Sequence, residues 1–287
     1  MWGLRHELPG SCHLGHSRSG LRSLYHSDLD QGQRSRHLRG RIVLLKSIAG
    51  NLNRENWIIP AILYANVGMF VLSLLIHPQK TGFSLNPLTF LSPDNGSLIL
   101  LGATGTIPIH RFGRWWTLIS ANYLHGSIMH IFFNMMAFRQ LAPLILNQFG
   151  GSRMIIIYTL SGMAGFWTSY LAGVPLTIGA SAALCGLMGA ALYYGKSRGG
   201  AFGRTVFHQI GNWAVGLIIF GFLVPGIDNW GHGGGMVSGA VCGALLGYRE
   251  KSVQNTLHHL SAGFLVLATA GVLLWAVFSG FYIRFMP

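Results

Sequence analysis

One serine is a candidate nucleophile because of the residues around it. The sequence Gly179-Ala180-Ser181-Ala182 places Ser181 between a flexible glycine and the start of an apolar helical segment. The first N–H groups of a helix, with the positive end of its dipole, can stabilise a developing oxyanion. Gly-x-Ser alone is a weak signal, since a serine cap within small-residue packing produces the same pattern.

A serine nucleophile needs a base, and His232 is the candidate. It begins an apolar segment in which glycine recurs every fourth residue from Gly235 onwards. Such a small-residue stripe lets a second helix approach closely. Packed against the small face that Ser181, Cys185 and Gly189 form, the stripe would bring the serine and the histidine within hydrogen-bond reach.

His130 and Asn134 are four residues apart, so they share one face of a predicted helix. Both side chains can donate a hydrogen bond without carrying a charge, which suits an oxyanion. A metal site at His125 and His130 is disfavoured, because the pair is five residues apart and has no carboxylate nearby. Neither a metal nor another cofactor is expected.

These residues lie in a chain with the composition of a membrane protein. Of its 287 residues, 51% are hydrophobic and 9% are charged, whereas soluble domains carry about 25% charged residues. The net charge of +13 is attributed to Lys and Arg in cytoplasmic loops, not to nucleic-acid binding. The three cysteines, two of them in apolar segments, predict neither a disulfide framework nor a cysteine-based zinc site.

Acidic residues are scarce, and none of the seven lies inside an apolar segment. Proton relays and cation pathways usually require an intramembrane carboxylate. Aspartyl intramembrane proteases require one too, and a membrane zinc protease requires His-Glu-x-x-His. These enzyme classes, and a seven-span transporter or receptor, are therefore disfavoured.

Seven apolar segments follow residues 1–56 and predict an all-α, polytopic membrane helix bundle. The fourth segment has only 14 residues, which cover roughly 21 Å of a hydrocarbon core about 30 Å thick. Its first residue, Ser181, is therefore expected below the membrane surface, beside irregular backbone that lines a wet cavity. The predicted spans are residues 57–76, 117–146, 154–172, 181–194, 207–224, 232–248 and 260–283.

Lys and Arg are distributed unequally between the two sets of loops. A cytoplasmic amino terminus places 15 of them inside and 4 outside, and this orientation is predicted. Residues 1–56 lack the apolar run of a secretory signal peptide, and their four acidic residues argue against a transit peptide. Residues 42–52 fit either a short basic amphipathic helix on the membrane or a solvated tail. A bacterial inner membrane is the expected location.

The three motifs together resemble those of the rhomboid intramembrane serine proteases. The resemblance covers residues 57–250 and implies a six-span catalytic core there. Residues 251–287 would add a cytoplasmic loop and a seventh, carboxy-terminal span, and residues 1–56 would be a basic cytoplasmic tail. The matching sequences, in the family's order, are His125-x4-His130-x3-Asn134, Gly179-x-Ser181 and His232-x2-Gly235-x3-Gly239.

The resemblance implies a role for each matching position. Ser181 would be the nucleophile, and His232 the general base that later protonates the leaving amine. Asn134 and His130, with the backbone N–H of Ser181, would line the oxyanion hole. The positions that would support the site are Gly179 in the loop, Gly235 and Gly239 between the fourth and sixth spans, and His125 at the top of the second.

The implied activity is that of an intramembrane serine endopeptidase cleaving single-span or polytopic membrane proteins near the outer membrane face. Asp228 is interpreted as a helix cap and not as a third catalytic residue, because the family works with a Ser–His dyad. Ala182 stands where the family usually has Gly. Cys185 stands where it usually has an aromatic residue that packs on the catalytic His. The alternative hypothesis is a catalytically inactive rhomboid-like protein that binds membrane clients.

Overall fold

The computed structural model describes Glu55 and residues 57–83, 85–86 and 89–286. Within these ranges the chain is an all-α bundle, which confirms the predicted fold class. The predicted amphipathic helix and most of the predicted tail lie outside the described residues. In chain order the α-helices are α1 (Ile58–Ile76), α2 (Asn95–Leu100), α3 (Thr106–Phe112), α4 (Thr117–Ser120), α5 (Ile128–Phe149), α6 (Gly151–Leu171), α7 (Ser181–Arg198), α8 (Gly200–Leu223), α9 (Asn229–Leu246) and α10 (Thr256–Phe285).

Five of these helices, namely α1, α5, α6, α8 and α10, are long and apolar enough to cross a membrane. The chain is therefore an integral, multi-pass membrane protein. The other two predicted spans correspond to α7 and α9, with 18 residues each, or roughly 27 Å of helix. Both are rich in glycine and alanine, because they pack closely against neighbouring helices.

The second predicted span is not one continuous helix. After α4 and a 3₁₀ turn at Ala121–Tyr123, the backbone is extended at Leu124 and Ser127 before α5 begins. Ser127 explains the restart, since its Oγ accepts a hydrogen bond from the backbone N–H of His130 at 3.2 Å and caps α5. The prediction of a single span over residues 117–146 was therefore wrong in this detail.

The fourth predicted span is also longer than expected. Instead of ending near Tyr194, α7 continues to Arg198 and ends at Gly199, whose φ of +66° is left-handed. Lys196 and Arg198 lie in the last turn, where cations interact favourably with the helix dipole. The helix α7 therefore includes the polar residues 195–198, which follow its apolar part.

Close contact between α7 and α9 sets the register of the bundle's centre. A Cβ added at Gly235 would lie 2.2 Å from the carbonyl oxygen of Ala182, and one at Gly239 would lie 1.9 Å from that of Gly186. Gly243 faces the next turn of α7 with the same offset along the chain. The two helices are therefore parallel, and both begin at the same end of the bundle. We call this contact the α7–α9 seam.

The last helix, α10, packs mainly against α6 and also touches α1, α2 and α4. Small residues mark the contact: Ala262 and Ala276 are buried, and a Cβ at Gly280 would lie 3.2 Å from the carbonyl oxygen of Leu100. Near its end, the Arg284 side chain donates to the carbonyl oxygen of Ile76 at the end of α1. This helix is thus docked on the side of the bundle away from the α7–α9 seam.

Candidate active site

Ser181 begins α7 at the end of an irregular loop, residues 172–180. Gly179 in this loop has a φ of +126°, which favours glycine, and its N–H donates to the carbonyl oxygen of Ala121 at 2.9 Å. Ala180, the residue before the helix, supplies no side-chain cap. The first N–H groups of α7 therefore remain available to an anion beside the half-buried Ser181.

Backbone hydrogen bonds hold this loop against the segment that leads into α3. Thr177 and Thr104 exchange both of their N–H···O bonds, at 2.7 and 3.1 Å. The first two N–H groups of α3 donate to the carbonyl oxygens of Val174 and Pro175. The loop before the nucleophile is thus fixed at several points although it has no regular structure.

His130, in the first turn of α5, faces the same small space as Ser181. A Cβ at Gly179 would lie 2.8 Å from His130 Nε2 and 3.5 Å from Ser181 Oγ. The Nδ1 atom of His130 accepts a hydrogen bond from the N–H of Gly126 at 3.3 Å. In the neutral ring the proton therefore sits on Nε2, which makes this atom a donor toward the space beside Ser181.

Asn134 lies one turn further along α5 and is buried. Its Nδ2 donates one hydrogen bond to the carbonyl oxygen of His130 at 2.8 Å, and its Oδ1 is buried without a partner among the described residues. An amide nitrogen carries two hydrogens, so one donor remains for another acceptor. The structure thus places Asn134 and His130 on one face of α5.

His232 lies in the first turn of α9, beyond the cap that Asp228 provides. It is half-buried, and its Nδ1 has no partner in the described part of the chain. His130 and Asp228 are both close enough to interact electrostatically with it. The α7–α9 seam begins one turn later, where Gly235 meets Ala182, so His232 and Ser181 lie at the same end of the seam.

The structure brings Ser181 and His232 to one end of two facing helices but does not join them. Among the described residues, no hydrogen bond links Ser181 Oγ to the imidazole of His232. The small face of α7 is also shifted from the prediction, because Ala182 and Gly186 meet the glycine stripe, whereas Gly189 faces Met236 and Ala240 beside it. Catalytic hydrogen bonds are often long in the free enzyme and tighten only when substrate binds.

His125 lies in the extended backbone before α5 and is fully buried. Its ring meets that of His130 edge-on, with the ring centroids 5.0 Å apart. Neither of its ring nitrogens has a partner among the described residues. His125 thus packs against the ring of His130.

The two departures from the family pattern, Ala182 and Cys185, both lie in the first turns of α7 and are buried. The side chain of Ala182 faces Gly165 of α6, where an added Cβ would lie 3.0 Å from the Ala182 Cβ. Cys185 is fully buried one turn after Ser181. Its thiol stands where an aromatic ring would be expected against the histidine.

Asp228 caps α9, as predicted, and also accepts hydrogen bonds from two side chains outside α9. Its Oδ1 accepts a hydrogen bond from the N–H of Gly231 at 2.9 Å. Its Oδ2 accepts from the hydroxyls of Ser169 in α6 and Thr177 in the loop before Ser181. The sequence did not indicate these two partners, because neither stands at a recognisable spacing from Asp228.

A known family model matches the region of the chain that contains these motifs. Residues 112–249 match the family model described as the Rhomboid domain. The chain is 32% identical over 209 residues to Rhomboid protease GluP of Bacillus subtilis (strain 168), covering 72% of this chain and 40% of that protein. It is 32% identical over 230 residues to RHOMBOID-like protein 6, mitochondrial, of Arabidopsis thaliana, covering 71% of this chain and 73% of the relative. With RHOMBOID-like protein 4 of the same plant the match spans 52% of the relative.

Proposed function

This chain belongs to the rhomboid family, and we propose from that premise that it is an intramembrane serine endopeptidase. Membership in itself supports either an intramembrane protease or a rhomboid-like function. The finer proposal is that Ser181 and His232 form a catalytic dyad that cleaves single-span or polytopic membrane proteins near the outer membrane face. It requires no metal or other cofactor.

One observation carries this proposal: the space beside Gly179. His130 Nε2 and Ser181 Oγ both border it, and the N–H groups at the start of α7 lack a side-chain cap. A nucleophile, an imidazole donor and free backbone donors therefore converge within a few ångströms. Such convergence is what a tetrahedral intermediate of acyl transfer needs.

The proposed reaction is acyl transfer followed by hydrolysis. Ser181 Oγ attacks the carbonyl carbon of the scissile peptide while His232 takes the hydroxyl proton. His130, Asn134 and the backbone N–H of Ser181 stabilise the oxyanion. His232 returns the proton to the leaving amine, and a water molecule then releases the acyl group from the serine by the same steps in reverse order.

Substitution of the nucleophile tests the proposal directly. In proteoliposomes with a single-span substrate, Ser181→Ala is expected to lower cleavage by at least about a thousandfold. It should also abolish covalent labelling by a fluorophosphonate. Ser279→Ala is the matched control, because this serine is also half-buried in a membrane helix and, within the described part of the chain, bonds only the carbonyl oxygen of Ala276. The control should cleave like the wild type.

Orientation and location are part of the proposal. The 15-to-4 distribution of Lys and Arg supports a cytoplasmic amino terminus, with the core at residues 57–250 and the bacterial inner membrane as its location. Reporter fusions after α6 and after α8 would test the orientation, and membrane fractionation would test the location. A reporter after α6 that is active only in the cytoplasm would contradict the proposed orientation.

The alternative, a catalytically inactive protein that binds membrane clients, is favoured by two observations. No hydrogen bond joins Ser181 to His232 in the described residues, and the aromatic residue expected beside the histidine is replaced by Cys185. Under this alternative the wild type would neither cleave substrate nor react with the fluorophosphonate. It would still retain single-span proteins through a detergent wash, and Ser181→Ala would leave that retention unchanged.

A further inference from the structure

The carboxylate of Asp228 joins three separate parts of the fold. One oxygen caps the helix that carries His232 through the N–H of Gly231, at 2.9 Å. The other accepts the Thr177 hydroxyl at 2.7 Å and also the Ser169 hydroxyl. Ser169 is fully buried, and Thr177 is 6% exposed. The carboxylate therefore connects α6, α9 and the loop that leads to Ser181.

Thr177 is itself part of a second connection. Its backbone pairs with that of Thr104 through two hydrogen bonds, and the Oγ1 of Thr104 accepts a hydrogen bond from the Thr117 hydroxyl at 3.0 Å. Thr104 and Thr117 are both fully buried. Thr104, which precedes α3, and Thr117, which begins α4, are thus connected through Thr177 to the carboxylate of Asp228.

Hydrogen bonds of this kind are strong and directional because the carboxylate is charged and the hydroxyls are shielded from water. Thr177 precedes Ser181 by four residues, and Asp228 precedes His232 by four. The bond between Thr177 and Asp228 therefore bridges the two short segments that end in the nucleophile and the base. The α7–α9 seam fixes the two helices relative to each other, but its first contact, between Ala182 and Gly235, comes after Ser181 and His232 in the chain.

We propose that Asp228 is a positioning residue, which holds the nucleophile loop to the start of α9 through Thr177 and so sets the separation of Ser181 and His232. The inference rests on the proposed function. Asp228 acts through Thr177 and the first turn of α9, without touching the substrate. The same carboxylate's bond to Ser169 anchors α9 to α6 and serves only to keep the bundle together.

The test measures separately the effects of the two hydrogen bonds that the Asp228 carboxylate accepts from Thr177 and Ser169. Thr177→Val keeps the shape of the side chain and removes only the hydroxyl toward Asp228. Ser169→Ala, the matched control, removes the other hydroxyl and leaves the loop tethered. Thr177→Ser restores a hydroxyl at the same position. Each variant is compared with the wild type in proteoliposomes for kcat and KM, for the rate of fluorophosphonate labelling at Ser181, and for thermal unfolding.

Small displacements of reacting groups can cost on the order of a hundredfold in rate. We therefore expect Thr177→Val to lower kcat and the labelling rate by roughly tenfold to a hundredfold with KM nearly unchanged. Thr177→Ser should recover most of the loss. Ser169→Ala should lower the unfolding temperature about as much as Thr177→Val does, while changing kcat less than about threefold.

Two results would overturn the inference while leaving the proposed function standing. One is an active wild type in which Thr177→Val keeps its kcat. The other is an equal loss of kcat in Thr177→Val and Ser169→Ala that follows their loss of thermal stability, since this shows a structural role alone. A wild type that is neither labelled nor active would instead overturn the proposed function, and the inference with it.

Discussion

The two ends of the helix bundle use polar residues in opposite ways. At the end where α6 begins and α7 finishes, half-buried and buried charged side chains make hydrogen bonds within the chain. Glu55 accepts hydrogen bonds from the N–H of Gly151 at 2.9 Å and from Arg249 at 2.7 Å. Arg153, which is fully buried, donates to the carbonyl oxygens of Ser252 and Val253 and to the hydroxyl of Ser252.

At the end where α7 and α9 begin, the fully buried polar side chains of the described residues are uncharged, while Asp228 is half-buried, and several polar atoms have no partner. Among the described residues these include both ring nitrogens of His125, the Oδ1 of Asn134 and the Nδ1 of His232. A buried polar atom without a partner costs about 1–3 kcal/mol. Atoms without partners also occur at the end with Arg153, namely the Nε atoms of Arg153 and Arg249 and the hydroxyl of Tyr194, within the described residues. Both guanidinium groups there still donate through their other nitrogens. The comparison teaches that one end holds charged groups through an ion pair and carbonyl acceptors, whereas the other holds neutral groups that a substrate or water can engage.

The largest expected effect comes from the seam that joins the two ends. Gly239→Ala would place a Cβ 1.9 Å from the carbonyl oxygen of Gly186, so α7 and α9 must separate. We expect a loss of about 3 kcal/mol or more in stability, together with most of the activity, because both ends depend on this contact. Thermal unfolding in detergent and substrate cleavage would measure the two losses.

The control for this change is Gly216→Ala in α8, where an added Cβ meets nothing within 4 Å. Alanine is the better helix former, so this variant should be as stable as the wild type or slightly more so. If Gly239→Ala behaved like Gly216→Ala, the seam would not determine the separation of the two helices.

A change at the end that holds Arg153 should affect stability and spare the chemistry. Arg153→Met keeps an apolar chain of similar length but removes the three hydrogen bonds that this fully buried side chain donates, at a cost of about 2–3 kcal/mol. Activity per folded molecule should remain near that of the wild type. Arg139→Met, on an exposed face of α5, is the matched control and should change neither quantity. A loss of kcat in the folded Arg153→Met protein would contradict the proposal that this end of the bundle contributes to stability and not to catalysis.

The smallest effect concerns pH, at the site end of α1. His77 bonds the Ser97 hydroxyl at 2.9 Å. Burial, and then the nearby charge of Arg284, lower the pKa of His77 below its usual 6.5, although Asp94 opposes this. Protonation is therefore less favourable in the folded state. The stability that this contact contributes is present above pH 6.5 and is lost as the pH falls below it.

Acidification from pH 7.5 to 5.5 should thus lower the unfolding temperature of the wild type slightly more than that of His77→Gln. Thermal unfolding at the two pH values measures the difference. An equal shift in both proteins would show that His77 does not contribute to the pH response of this end.

Local features of the sequence were enough to predict the membrane class, the long helices and the set of candidate residues, but not the short helices α2 and α3. Scarcity of charge and long apolar runs depend on composition over about 20 residues, which the chain carries on its own. The cap at Asp228 was predictable for the same reason, since an N-cap bonds residues two or three positions ahead. The roles of Ser181 and His232 remain predictions.

Contacts between positions that are distant in the sequence decided the break in the second span and the partners of Asp228. The second span breaks at Leu124–Ser127 because the 3₁₀ turn before it packs into the core, which a hydropathy pattern does not record. Asp228 reaches Ser169 and Thr177 across 59 and 51 positions, and no spacing rule links residues so far apart. The sequence determined which polar groups enter the membrane. Only the tertiary structure decided which of them are paired, because pairing depends on the register of helices that meet through their smallest residues.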